Sequence, residues 1–194
     1  PRNKMFPARR GDFMLLINGM PVIHVELKRS KVDVTQAAYQ IQNYSHEGVF
    51  RGIFSLVQVF VAMTPEETVY FANPGDGVPL DPQWFFHWAD RNNEPINDWK
   101  KIAEHLLSIP MAHQMIGFYT VADGDDEKLK VMRSYQYYAA MSVAKRVSEV
   151  DWTAREIYGG FIWHTTGSGK TLTSFKTALL ASNLGPALKG MTEL

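Results

Sequence analysis

The stretch that decides the fold is Gly11–Arg29, GDFMLLINGMPVIHVELKR. It reads as an apolar run, a turn signalled by Asn18-Gly19, and a second apolar run ending in Glu26-Leu27-Lys28, which is the pattern of a β-hairpin. Side chains alternate along a strand, so Glu26 and Lys28 point to one face and Leu27 to the other. Whether Asp12 joins them depends on the turn. A two-residue loop at Asn18-Gly19 pairs residues whose numbers sum to 37 and sets Asp12 and Glu26 on opposite faces. A three-residue loop, Ile17-Asn18-Gly19 with Gly19 left-handed, lowers the sum to 36 and makes Asp12 a diagonal neighbour of Glu26, roughly 7–8 Å away. The three-residue loop is expected, because only it lets the two acids act together.

Two carboxylates that close repel unless they share a cation, and hard oxygen ligands suit Mg²⁺ or Mn²⁺. Such a metal, held by Asp12 and Glu26, would activate water at a scissile phosphate, and Lys28 could orient that water or neutralise developing charge. The plainer meaning of Glu-x-Lys is an exposed strand with alternating charges. Downstream, Asp33-Val34-Thr35-Gln36 has the form of a helix cap with its box partner. Gln36, Gln40 and Tyr44 then recur every four residues and share a helical face that could serve the carboxylates or be an ordinary polar stripe. His24 reads as a strand residue rather than a ligand.

A second chemical signal lies in GGFIWHTTGSGKTLTSFKTA, residues 159–178. Phe161–Trp163 is a short apolar run, Thr166 to Thr171 reads T-G-S-G-K-T, and Leu172 to Ser182 has helical composition, so strand, loop and helix are expected. Glycines let backbone N–H groups of Thr166, Gly167, Ser168 and Gly169 converge on phosphate oxygens, and the helix N-terminus adds partial positive charge. Lys170 would reach the β and γ phosphates of ATP and the Thr171 hydroxyl would help hold Mg²⁺. His164 stands at the first position of the pattern, where Gly or Ala is usual. Upstream, Gln136 could pair with both the donor and the acceptor of adenine. No Asp-Glu pair follows the loop, and no second motor lobe with an arginine finger is present. The chain therefore reads as a fragment, cut at both ends and expected to hydrolyse no ATP alone.

With 194 residues, 45% of them hydrophobic, there is material for one substantial core and part of a second. The absence of cysteine excludes disulfides, thiolate-held zinc and thiol catalysis. No apolar run approaches the ~18 residues of a membrane span, and no signal peptide is visible, which fits a cytoplasmic protein. Net charge is zero, yet residues 1–31 hold seven Lys or Arg against Asp12 and Glu26 alone; this local excess could contact phosphates. Ile53–Ala62 and Thr68–Ala72 are strand-like and would extend the hairpin's sheet. WFFHWAD, Trp84–Asp90, could stack bases but reads better as packing. His87, His105 and His113 form no ligand spacing. Tyr135–Val147 reads as a helix bearing Gln136 at its start. A domain boundary is placed between residues 115 and 116.

In order, Gly11-Asp12, Glu26-Leu27-Lys28, Gln40-Ile41-Gln42-Asn43-Tyr44, Arg133-Ser134-Tyr135-Gln136 and His164–Thr171 closely resemble the restriction (R, motor) subunit of type I restriction-modification enzymes, along nearly the whole chain. The resemblance implies an α/β architecture: a PD-(D/E)xK restriction-endonuclease-like mixed sheet flanked by helices over 1–115, then the truncated start of a RecA-like superfamily 2 helicase domain over 116–194. It further implies that Asp12, Glu26 and Lys28 match catalytic positions, that Gln40 and Tyr44 match a Q-x-x-x-Y motif, and that Gly11 replaces the proline of the name. Implied partners are double-stranded DNA and the modification (methyltransferase) and specificity subunits of a bacterial or archaeal complex. Such subunits pump unmethylated DNA with ATP and cut it far from the recognition site. The competing reading is an ATP-driven translocase whose nuclease fold only grips DNA.

Overall fold

A computed structural model describes residues 11–151, 153–155 and 159–183. The chain divides into two compact units, residues 1–88 with 95–131, and residues 89–94 with 132–194. By compactness the first unit therefore runs on past residue 115 and includes a hairpin placed in the second domain by sequence.

The first unit is built on a four-stranded sheet in chain order, β1 (Phe13–Ile17), β2 (Met20–Leu27), β3 (Val59–Met63) and β4 (Thr68–Ala72). β1 and β4 pair antiparallel with their neighbours, whereas β2 and β3 are parallel. A parallel pair needs a crossover, and helix α1 (Thr35–His46) supplies it. Its apolar stripe, Ala37, Ala38, Ile41 and Tyr44, is buried with Phe60 and Ala62 of β3 and Val69 and Phe71 of β4. Every residue of β3 is buried, as expected of a strand covered on both faces.

Several local expectations are corrected. The strand foreseen over Ile53–Ala62 begins only at Val59, opposite Ile23, where β2 offers a partner; Gly52–Leu56 is a 3₁₀ turn instead. At the start of α1 the Asp33 carboxylate accepts from Thr35 N at 2.8 Å and Thr35 Oγ1 at 2.6 Å, so Thr35 and not Gln36 is its partner. Gln36 is exposed, apart from half-buried Gln40 and buried Tyr44. The aromatic segment packs as expected, except for exposed Trp84: Phe85 stacks on Phe71 at 4.6 Å, Phe86 bridges Tyr70 through two backbone hydrogen bonds, and Trp88 is buried against Tyr70. Helices α2 (Trp99–His105) and α3 (Ile109–Gly117) and the hairpin of β5 (Thr120–Asp123) and β6 (Lys128–Val131) complete the unit.

The second unit carries α4 (Ser134–Glu149) and α5 (Lys170–Ser182). Phe161–Trp163, expected as a strand, forms none, and Phe161 and Trp163 are almost wholly exposed. A strand exists only by pairing with a neighbour, and among the described residues nothing pairs with this run. No helix of the described residues is long and apolar enough to cross a membrane.

Candidate functional site

The hairpin turn has two residues, not three. Asn18 and Gly19 both adopt positive φ, 50° and 79°, the combination that Asn-Gly accommodates at least cost and that matches strand twist. Leu16 and Ile17 accordingly pair with Pro21 and Met20, numbers summing to 37. The register then shifts between Leu15 and Leu16, and Phe13, Met14 and Leu15 pair with Val25, His24 and Ile23, summing to 38. Val22 is the extra residue of a β-bulge. Pro21 beside it has no N–H to give a ladder, which is where bulges are tolerated. Continued by one residue, this register would set Asp12 opposite Glu26 rather than diagonal to it. The parity that a longer turn was expected to provide comes instead from a bulge.

β1 stops at Phe13, and the Asp12 carboxylate takes the next hydrogen bond itself, Oδ2 accepting from Leu27 N at 2.8 Å. Glu26 is 1% exposed. Its Oε1 accepts from Lys28 Nζ at 3.0 Å, as strand alternation requires of two residues on one face. The Lys28 amine also donates to Gln40 Oε1, and Gln40 Nε2 donates to Tyr44 OH. Glu26, Lys28, Gln40 and Tyr44 thus form one hydrogen-bonded chain running from β2 to α1. It is anchored where Lys28 N donates to Met63 O at 2.8 Å.

One observation bears on whether these residues fit a divalent cation: Glu26 Oε2 is buried without a hydrogen-bond partner among the described residues. A buried carboxylate oxygen left that way is strongly disfavoured unless a cation or water meets it. Among the described residues, however, no group of three or more His, Cys, Asp or Glu side chains gathers as a metal centre. Two carboxylate-bearing residues and the substrate's own oxygens would have to complete the shell.

In the second unit the predicted loop is a turn between Thr165 and Lys170. Gly167 and Gly169 have φ of 77° and 78°, a left-handed conformation that needs glycine. Lys170 Nζ donates back to Thr165 O at 3.1 Å, and Ser168 Oγ donates to the same carbonyl at 2.7 Å. Thr166 and Thr171 are exposed. Gln136 is buried at the first turn of α4. Its Oε1 accepts from Arg133 N at 2.9 Å and its Nε2 donates to Gly169 O at 3.1 Å. Tyr135 OH adds a bond to Ser168 O at 2.8 Å, and His164 Nδ1 lies 2.9 Å from Ser168 Oγ. Sequence reasoning singles out Gln136 and overlooks Tyr135, whose only signal is its place in the same Arg-Ser-Tyr-Gln run.

Comparison with known proteins agrees with both halves. Residues 6–77 match the family described as type I restriction enzyme R protein N terminus, and residues 135–189 match the SWI2/SNF2 ATPase family. The chain is 36% identical over 173 residues to the type I restriction enzyme SauCOLORF180P endonuclease subunit of Staphylococcus aureus, covering 89% of this chain and 18% of that protein. It is 29% identical to the EcoprrI endonuclease subunit of Escherichia coli, covering 77% and 48%. It is also 29% identical to the putative MjaVIIP endonuclease subunit of Methanocaldococcus jannaschii, covering 86% and 16%. The chain thus spans about a fifth of the length of the Staphylococcus relative. With a hairpin-borne Asp12, Glu26 and Lys28 ahead of a glycine loop, and this likeness along most of its length, the chain belongs to the endonuclease (R) subunit family of type I restriction enzymes.

Proposed function

We propose that the chain carries the PD-(D/E)xK nuclease site and the opening of the RecA-like, ATP-driven translocase of a type I restriction enzyme. In that role it would cut unmethylated double-stranded DNA away from the recognition site, in a cytoplasmic complex with modification and specificity subunits. The observation that carries the nuclease half is the position of the Lys28 amine, fixed between Glu26 Oε1 and Gln40 Oε1. A relic fold that only gripped DNA would have no need to hold a lysine so closely against a buried acid.

Asp12 and Glu26 would hold a divalent cation, Mg²⁺ or Mn²⁺, which when bound lowers the pKa of water and stabilises charge on the scissile phosphate. Lys28 orients the attacking water from the Glu26 side. Gln40 holds Lys28, and Tyr44 holds Gln40, so that the amine is placed before DNA arrives. In the motor, backbone N–H groups of Thr166–Gly169 and the N-terminus of α5 would receive the ATP phosphates, Lys170 would exchange Thr165 O for them, and Thr171 would help hold the nucleotide's Mg²⁺. Gln136 uses one oxygen lone pair and one N–H in its bonds to Arg133 and Gly169. A second of each remains for adenine.

The test is cleavage by the full subunit in its complex. Lys28→Ala and Asp12→Ala should abolish cutting yet leave ATP hydrolysis intact, and Lys170→Ala should abolish both. Cutting that survives the first two substitutions would refute the nuclease assignment.

A further inference from the structure

His24 stands on the same face of β2 as Glu26 and plays no part in the chain of bonds described above. Its ring is 2% exposed. One side is enclosed edge-to-face by Tyr44, Phe50 and Phe60, at centroid distances of 6.2, 5.3 and 6.2 Å. The edge that bears both nitrogens lies near Gly11, and Nε2 is turned to Glu26. An ideal Cβ added to Gly11 would fall 2.8 Å from Cε1, 3.4 Å from Nδ1 and 3.9 Å from Nε2. His24 Nε2 lies 3.5 Å from Glu26 Oε2. Neither ring nitrogen has a hydrogen-bond partner among the described residues, and neither does Oε2. Among the described residues three polar atoms are therefore left without a hydrogen bond in one buried place, where native proteins rarely leave even one.

A separation of 3.5 Å is too long for a hydrogen bond of useful strength. It is close to the spacing of neighbouring donors on one cation, since bonds of about 2.1 Å at a right angle set their donor atoms about 3 Å apart. Imidazole is also a donor that Mg²⁺ seldom takes and that transition-metal dications accept readily. We infer that His24 is a nitrogen ligand, with Glu26, of the divalent cation at the nuclease site, and that this site takes a first-row transition-metal dication such as Mn²⁺ in preference to Mg²⁺. The inference rests on the nuclease reading proposed above. Asp12 is engaged with Leu27 N, and the Lys28 amine stays on the opposite oxygen of Glu26.

The test uses the full-length subunit, stripped of metal and free of nucleotide so that the phosphate loop recruits none. Mn²⁺ is titrated in and the bound ion examined by electron spin-echo envelope modulation. The expected spectrum carries ¹⁴N modulation from a directly bound imidazole, which ¹⁵N-histidine labelling replaces and which both His24→Gln and His24→Phe remove. Phe suits the aromatic side of the pocket and guards against a variant that fails only because it misfolds. Mn²⁺ affinity should fall roughly tenfold or more in both variants, and Mg²⁺ affinity by less, whereas loss of a merely structural ring would weaken the two ions equally. A Mn²⁺ complex lacking ¹⁴N modulation, or keeping it in both variants, overturns the ligand role and leaves the nuclease reading standing. Mn²⁺ that fails to bind the wild type, or binds regardless of Glu26→Gln, overturns both.

Discussion

Lys28 and Gln40 meet across the space between β2 and α1, the lysine amine donating to Gln40 Oε1 while lying 3.0 Å from Glu26 Oε1. A flexible four-carbon side chain is thereby held at both sides of its charged end, and Tyr44 OH fixes Gln40 in turn.

Gln40→Ala should lower DNA cleavage in the assembled complex by about tenfold to a hundredfold, the range for lost supporting contacts. The melting temperature should hardly move, since Gln40 is half-buried and Ala is a good helix former. Tyr44→Phe removes only the hydroxyl, so cleavage should drop several-fold and stability by about 1 kcal/mol. Cleavage assays and thermal melts on the two variants measure both.

Gly169→Ala meets two obstacles. An added Cβ would lie 2.5 Å from Gln136 Nε2, at a φ of 78° that disfavours every residue with a side chain. The backbone term alone is about 1–2 kcal/mol, and the Gln136–Gly169 bond must also give way. Equilibrium binding of a non-hydrolysable ATP analogue by the full-length variant should weaken at least tenfold, while nuclease-site metal binding stays as it was.

Gly11→Ala should destabilise the first unit by roughly 1–3 kcal/mol, as overpacking does, because its Cβ would fall 2.8 Å from His24 Cε1. His24→Ala opens that space. The double variant should therefore recover part of the stability lost, with a coupling of roughly 0.5–3 kcal/mol in a double-mutant cycle read by denaturant melts. Additive losses would show that the two residues do not touch.

On the β5–β6 hairpin, Lys130 donates to the Asp123 carboxylate, and this bond, with a smaller contribution from Asp125 N, holds Asp123 below the ordinary carboxylate range. A carboxylate depressed in the folded state stabilises the hairpin above its unfolded pKa, and that contribution disappears as pH falls through the folded value. Carboxyl ¹³C titration by NMR should place the Asp123 midpoint below that of an unstructured peptide. In Lys130→Met the midpoint should move up, and the two proteins should become equally stable at the acid end.

Strand alternation made the Glu26–Lys28 face legible from sequence, because it follows from backbone geometry alone. The four-residue recurrence of Gln40 and Tyr44 was legible for the same reason on a helix. The turn was not. Asn18-Gly19 correctly signalled its position, but nothing in the alternation of β2 announces that Val22 goes unpaired, since a bulge is a compromise between two strands. Phe161–Trp163 illustrates a different limit: apolar composition qualifies a segment to be a strand, yet only a neighbour makes it one. His24 shared the parity of Glu26 and could have been found by it. What set it apart, a ring buried with both nitrogens unmet, is a property of packing and invisible in one dimension.

The bulge at Val22 has a consequence for recognising this site in other chains. From the turn outward, six residues lead back to Asp12 and seven lead forward to Glu26, and the unpaired one absorbs the inequality. A relative with arms of equal length would bring the same two acids together on a straight ladder. The interval between Gly-Asp and Glu-Leu-Lys is thus elastic by one position, and a rigid count across the hairpin would overlook genuine kin.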